Sequence, residues 1–291
     1  MSGVMRLRVW DVEHGACIML QHAAASPFGG EQFGPLAMID SGDTKTWSPG
    51  SFIRFALNRT TLDYLFITNA DQDHMSGLRG LGQAGVSVDT LIRNASYTGA
   101  TMRAIKLGSG PLTGDAEWYV GACEAFGMPT IRPFNKCMNG IISETFCNAF
   151  PRFIDTNNLS LAVFIHYGGM TFLFPGDLER EGWRALLEQP DFRTWLGRVD
   201  VLMASHHGRE SGFCKGVFEF CTPQAVVISD KPIAHDTQLT VPDYRRVVRD
   251  NGVIVRTAMK RRHVLTTRRD GTIQFEVDAA GRFLIDTECQ G

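Results

Sequence analysis

Short apolar runs closed by polar or glycine-rich turns recur along the chain, a pattern that predicts buried strands alternating with helices. Strands are expected over 7–12, 16–21, 36–39, 64–68 and 90–93, with helices over 51–57, 75–81 and 115–126. The second half repeats the alternation. Strands over 161–166 and 171–174 form a hairpin through Gly168-Gly169, a pair that accepts positive φ. A helix over 178–188 follows with Asp177 at its N-cap, then strands over 199–204 and 225–229 and a helix over 241–250. Strands over 253–256, 264–267 and 272–277 close the pattern. The stretch 94–113, rich in Gly and Ser, has no partner in this scheme and reads as a substrate lid or a surface excursion.

Four of these strands end in the same chemistry. Leu65-Phe66-Ile67 runs into Thr68-Asn69-Ala70-Asp71-Gln72-Asp73-His74, and Thr171 to Phe174 runs into Pro175-Gly176-Asp177. Val199 to Ala204 leads to Ser205-His206-His207-Gly208, and Leu36 to Ile39 leads to Asp40-Ser41-Gly42. Carboxylate and amide oxygens suit hard divalent ions, imidazole suits zinc and manganese, and a strand end presents either rigidly. Singly, each segment is also ordinary turn chemistry, with Asp73 able to cap a helix that begins near His74. One design at four strand ends describes one site.

Asp73, His74 and Asp177 are the leading ligands on this reading. One of His206 and His207 is expected to ligate and the other to hydrogen-bond or touch substrate, with His206 favoured because it lies nearer the strand end. His235 stays open as a ligand, a general acid for the leaving group, or an ordinary loop residue. Ser205, Arg209, Ser211 and Lys231 are candidates to hold a substrate phosphate, since hydroxyl donors and cations match its oxygens, and His207 is a further candidate to touch the substrate. His14, His22, His166 and His263 read as ordinary turn and strand residues.

In their order, these segments resemble the metallo-β-lactamase superfamily, and within it the ComEC/Rec2-like hydrolase domain of competence proteins. The resemblance extends over most of the chain, from Asp11 to Leu20 through Asn157 to Leu161, Phe174 to Glu179 and His206-His207-Gly208 to Ala234-His235-Asp236. It implies an α/β fold, a metallo-β-lactamase-like αββα sandwich of two central mixed sheets flanked by helices, as one hydrolase domain over 1–291. It also implies one or two divalent metal ions, zinc or manganese, held by Asn69, Asp71, Asp73, His74, Asp177 and a later histidine. Asn69 and Asp71 stand where the superfamily usually has two histidines; an Asp at the second place is common in the competence-like group, whereas Asn69 removes an imidazole. A water on such an ion loses its proton near neutral pH and becomes the nucleophile, with Asp73 and His235 as the catalytic side chains. The implied activity is that of a phosphodiesterase or nuclease acting on nucleic acid or a small phosphodiester. The alternatives are a hydrolase of a small ester, lactone or nucleotide, and a non-catalytic binding module with a degenerate metal site.

Composition narrows these readings. With 291 residues, 44% of them hydrophobic, the chain can bury a large core. Its formal net charge of −2 gives no overall bias toward nucleic acid, although Arg245, Arg246, Arg249, Lys260, Arg261, Arg262, Arg268 and Arg269 make the C-terminal part basic. Seven cysteines without a C-x-x-C pair argue against a disulfide framework or a structural zinc knot, and so for a reducing compartment. No apolar run approaches the roughly 18 residues of a membrane span, so a cytoplasmic protein without a membrane partner is expected.

Overall fold

The structure is a computed structural model that describes residues 3–27, 29–126, 132–232 and 238–290. Two mixed sheets lie face to face. The first runs β15-β14-β1-β2-β3-β4-β5, from β1 (Val4–Val9), β2 (Ile18–Ala25), β3 (Glu31–Ile39), β4 (Thr61–Phe66), β5 (Ser87–Ile92), β14 (Ile273–Asp278) and β15 (Phe283–Thr287). The second runs β13-β10-β9-β8-β7-β6, from β6 (Ile142–Cys147), β7 (Leu161–Tyr167), β8 (Met170–Phe174), β9 (Val201–Met203), β10 (Ala225–Ile228) and β13 (Val264–Thr266). A small ribbon pairs β11 (Val253–Val255) with β12 (Lys260–Arg262).

Side-chain alternation generates the layers. In β1, Met5, Leu7 and Val9 turn inward while Arg6 and Arg8 turn out. These inward residues meet Val163, Ile165, Phe172 and Phe275 in the central core between the sheets. Phe172 and Phe275 meet edge-on at 5.3 Å, a geometry worth about 0.5–1.5 kcal/mol beyond area burial. The opposite faces of the strands are apolar too. Met38, Leu62 and Leu65 pack with Met75, Leu78, Leu81, Met102 and Tyr119 of the helices on one side, and Phe164, Leu173 and Leu202 with Trp183, Leu186, Phe192 and Tyr244 on the other. Helices outside and two sheets inside make the αββα sandwich that the sequence led one to expect.

The strand pairs β3–β4, β4–β5, β8–β9 and β9–β10 are parallel. Their carboxyl ends gather at one rim, the usual place for a ligand in such sheets. There, the amide of Leu161 donates to the carbonyl of Thr68 at 2.7 Å and ties the second sheet to the loop after β4.

Several local expectations are corrected. The helix expected over 75–81 is two pieces, Gln72–Met75 and Leu78–Gln83, because Gly77 donates to the Ser41 carbonyl at 2.7 Å and leaves no room there for a side chain. Asp73 lies inside the first piece, and the N-cap position belongs to Asp71. Asp177 caps nothing: its helix is Arg180–Leu187 with Glu179 at the N-cap position. The 94–113 stretch contains a helix, Gly99–Leu107, whose first turn is capped by the Thr98 hydroxyl accepting from the Thr101 amide. The strands β6, β12 and β15 and the helix Pro190–Leu196 are additions to the sequence reading.

Candidate metal centre

Asp40 directly follows β3 in the left-handed region at φ 58°, which turns its carboxylate under the loop after β4. Its Oδ1 accepts from the Thr68 amide at 2.7 Å, and its Oδ2 accepts from the Thr68 hydroxyl at 2.5 Å. The same Oδ2 lies 2.7 Å from Nδ1 of His74. A proton held on Nδ1 by Asp40 leaves Nε2 of His74 aimed at Asp177, 3.0 Å from Oδ1. Although burial disfavours charge on His74, the Asp177 and Asp40 carboxylates hold its pKa well above the usual imidazole range. Burial opposes ionisation of Asp177 as well, yet the imidazoles of His74 and His207 bring its carboxyl down to about 2.

The fourth side chain comes from a strained turn. After β9, His206, His207 and Gly208 all have positive φ, at 52°, 52° and 72°, which only glycine adopts without cost. This reversal directs His207 inward: its Nδ1 donates to the Ser229 carbonyl at 2.9 Å. Its Nε2 is then 3.2 Å from Asp73 Oδ2 and 3.5 Å from Asp177 Oδ1, buried and without a properly directed hydrogen bond. Asp73, His74, Asp177 and His207 each bring one donor atom to within 4.8 Å of the others. Both imidazoles have their other nitrogen engaged by an acceptor, which is how metal-ligating histidines are held. A buried Nε2 among two carboxylates and a second imidazole fits a divalent cation. Two nitrogens and two carboxylate oxygens suit zinc, manganese or iron better than the all-oxygen surroundings that calcium and magnesium favour. A cavity of about 20 Å³ lined by Asp40, His74, Asp177 and His207 lies beside them, space for a single water or ion.

The remaining candidates are placed as follows. His206, favoured above His207 on sequence, lies outside the four-donor group: its Nδ1 is 3.0 Å from the Ser211 hydroxyl, and its Nε2 is 3.9 Å from Asp177. Burial lowers its pKa. His14 is drawn in although its sequence context marked only a turn; its Nε2 is 3.3 Å from Asp73 Oδ2 and its ring is 4.6 Å from that of His207. Burial, and then His207, push its pKa down to about 4. The one signal for it was the glycine that follows, since a Cβ on Gly15 would lie 2.3 Å from the Asp73 carbonyl.

Asn69 and Asp71 turn to other partners. Asn69 Nδ2 donates to Asn157 Oδ1 at 3.2 Å, and its Oδ1 accepts from the Asp71 amide at 2.8 Å. Asp71 pairs with Lys106 and accepts from Thr156. Ser205 is corrected as a substrate contact, because its buried hydroxyl donates to the carbonyls of Leu178 and Gly176. Arg209 lines an open cleft of about 420 Å³ with His14, Asp73, Lys106, Asp177 and His206. Lys231 is exposed and absent from the residues lining that cleft. His235 lies outside the described residues.

No protein-family model matches the sequence, and no curated protein matches it. Among solved structures, the chain is similar to a diphosphatase from the PhnP family at 12% identity, over 94% of this chain and 98% of that one, with a TM-score of 0.41. A mutant of CmlA β-hydroxylase aligns at 12% identity over 94% of this chain and 53% of that one, with a TM-score of 0.47. CmlA, a diiron β-hydroxylase from Streptomyces venezuelae, aligns at 14% over 78% and 44%, with a TM-score of 0.40. The chain thus spans about half the length of the two hydroxylase chains. What the centre can do follows from its own side chains.

Proposed function

We propose that the protein is a metal-dependent hydrolase of phosphodiesters that holds its ion, zinc or manganese, through Asp73, His74, Asp177 and His207. The observation that carries this reading is the gathering of one donor atom each from Asp73, His74, Asp177 and His207 within 4.8 Å, three of the four residues being buried. A divalent cation in such a site supplies Lewis acidity and makes a bound water acidic enough to ionise near neutral pH. Asp40 and the Ser229 carbonyl fix the two imidazoles in the tautomer that turns Nε2 toward the centre. Arg209 offers a guanidinium on the wall of the cleft, matched to an anionic phosphoryl oxygen. The ComEC/Rec2-like order of the sequence motifs favours a nucleic acid or a small phosphodiester as substrate. A second reading, hydrolysis of a small ester, lactone or nucleotide, is favoured by the cleft itself, whose 420 Å³ falls within the roughly 300–1,000 Å³ of small-molecule sites.

Both readings are tested together. Bis(p-nitrophenyl) phosphate, single-stranded DNA and a p-nitrophenyl ester are offered to the purified protein with manganese or zinc, with EDTA, and as Asp177→Asn and His207→Ala variants. Phosphodiester cleavage that EDTA abolishes, and that each substitution lowers by roughly 10²-fold or more, is expected, since losing one preorganised electrostatic partner typically costs that much. Cleavage of the ester alone moves the assignment to the second reading. Activity that survives EDTA and both substitutions sinks the metal mechanism.

A further inference from the structure

The two ends of the loop after β4 are built for different purposes. At its far end, Asp73 and His74 face the four-donor centre, whereas at its near end the donors are already satisfied. The Asn69 carboxamide is spent on Asn157, Ser160 and the Asp71 amide. The Asp71 carboxylate is spent as well, because Oδ2 accepts from the Thr156 hydroxyl at 2.7 Å and Oδ1 lies 2.9 Å from the ammonium of Lys106. That ammonium also donates to the Ala70 carbonyl, so two oxygens of the loop share one cation supplied by the protein.

Lys106 is held where it is. It occupies the last turn of the Gly99–Leu107 helix, its side chain only 16% exposed. That helix is anchored to its neighbour, Gly114–Ala125, by the Arg103–Glu117 ion pair and by Glu124 beneath the Ala100 amide. We propose that the Lys106 ammonium permanently occupies the place of a second cation, so that the centre takes one divalent ion where the two-histidine version of this loop would hold two. This inference rests on the metal-dependent reading above. A doubly charged ion beside Asp71 would have to lie within a few ångströms of a fixed positive charge, and it would find a neutral, inward-bonded amide at position 69 in place of an imidazole. One carboxylate and one ammonium already neutralise each other there.

The test measures metal per chain by elemental analysis after equilibration with zinc and desalting, with titration calorimetry on the same samples. Three proteins are compared, the natural chain, Asn69→His, and Asn69→His with Lys106→Ala. One, one and two equivalents are expected. Two equivalents in the natural chain overturn the inference, as do two in Asn69→His with Lys106 present, or one in the double variant. Asn69→His with Lys106→Met keeps the apolar stem and serves where the alanine variant does not melt cooperatively. No bound zinc in any of them removes the metal reading itself, a failure distinct from a wrong count.

Discussion

At the scale of single residues, His74 sets how the centre responds to pH. Burial works against its charge, but Asp177 and Asp40 hold its pKa well above the usual value, so the metal-free fold favours the protonated ring. The sign follows from linkage. A raised folded pKa stabilises the metal-free fold fully below the unfolded value of about 6.5, and that contribution is lost as pH rises through the higher folded value. A cation needs the lone pair that this proton occupies, so apparent metal affinity should rise with pH, approaching tenfold per unit for one displaced proton. The carboxylates of Asp177 and Asp73 raise the His207 pKa as well, so calorimetry at pH 7 in buffers of differing ionisation enthalpy should find protons released as the ion binds. Release of none would mean that neither His74 nor His207 exchanges a proton for an ion. The histidine pair shows where single-residue reading stops. Nearness to the strand end pointed to His206, yet consecutive positive φ values reverse the chain and bring His207 into the group. No local sequence signal other than Gly208 marks that reversal.

At the scale of elements, acids and histidines that follow continuous apolar runs were legible, because a strand buried on both faces must end before a carboxylate can meet water or an ion. Asp40, Asp73, His74 and Asp177 all follow this rule. The Gly99–Leu107 helix was not legible, since it buries only Gly99 and Met102 and the glycines and threonines in and around it imitate a loop. Lys106 was hidden with it. The β1–β2 turn was legible only as part of the resemblance over Asp11 to Leu20, with no role at the centre, yet it touches the centre: the Ala16 amide donates to the Asp73 carbonyl, and Gly15 at φ 138° leaves space for that same carbonyl. Gly15→Ala should therefore cost about 1–3 kcal/mol in backbone strain alone, and displacing Asp73 should weaken metal binding as well. Thermal melting with and without zinc checks both effects. An unchanged melting temperature together with unchanged affinity would show that the turn and the loop are independent.

At the scale of the whole molecule, the centre joins two sheets that each contribute half of it. Asp73 and His74 follow β4 of the first sheet, while Asp177 and His207 follow β8 and β9 of the second. Without a cation, the buried donors are held together only by proton-mediated contacts, which makes the seam between the sheets sensitive to what occupies it. A ligand that binds the folded chain and not the unfolded one stabilises by RT ln(1 + [L]/Kd), about 2.7 kcal/mol at a free concentration 100 times Kd. At roughly 2–4 °C per kcal/mol for chains of comparable size, saturating zinc or manganese should raise the melting temperature by about 5–10 °C, and EDTA should reverse the rise. Asp177→Ala and His207→Ala remove one donor from the second sheet and Asp73→Ala one from the first, so each should abolish most of the shift. His206→Ala, which lies outside the group, should leave it intact. Differential scanning calorimetry decides the matter. A metal-induced shift that persists in all three donor variants would place the ion elsewhere on the protein, and the absence of any shift in the natural chain would mean that the two sheets are not bridged by a cation.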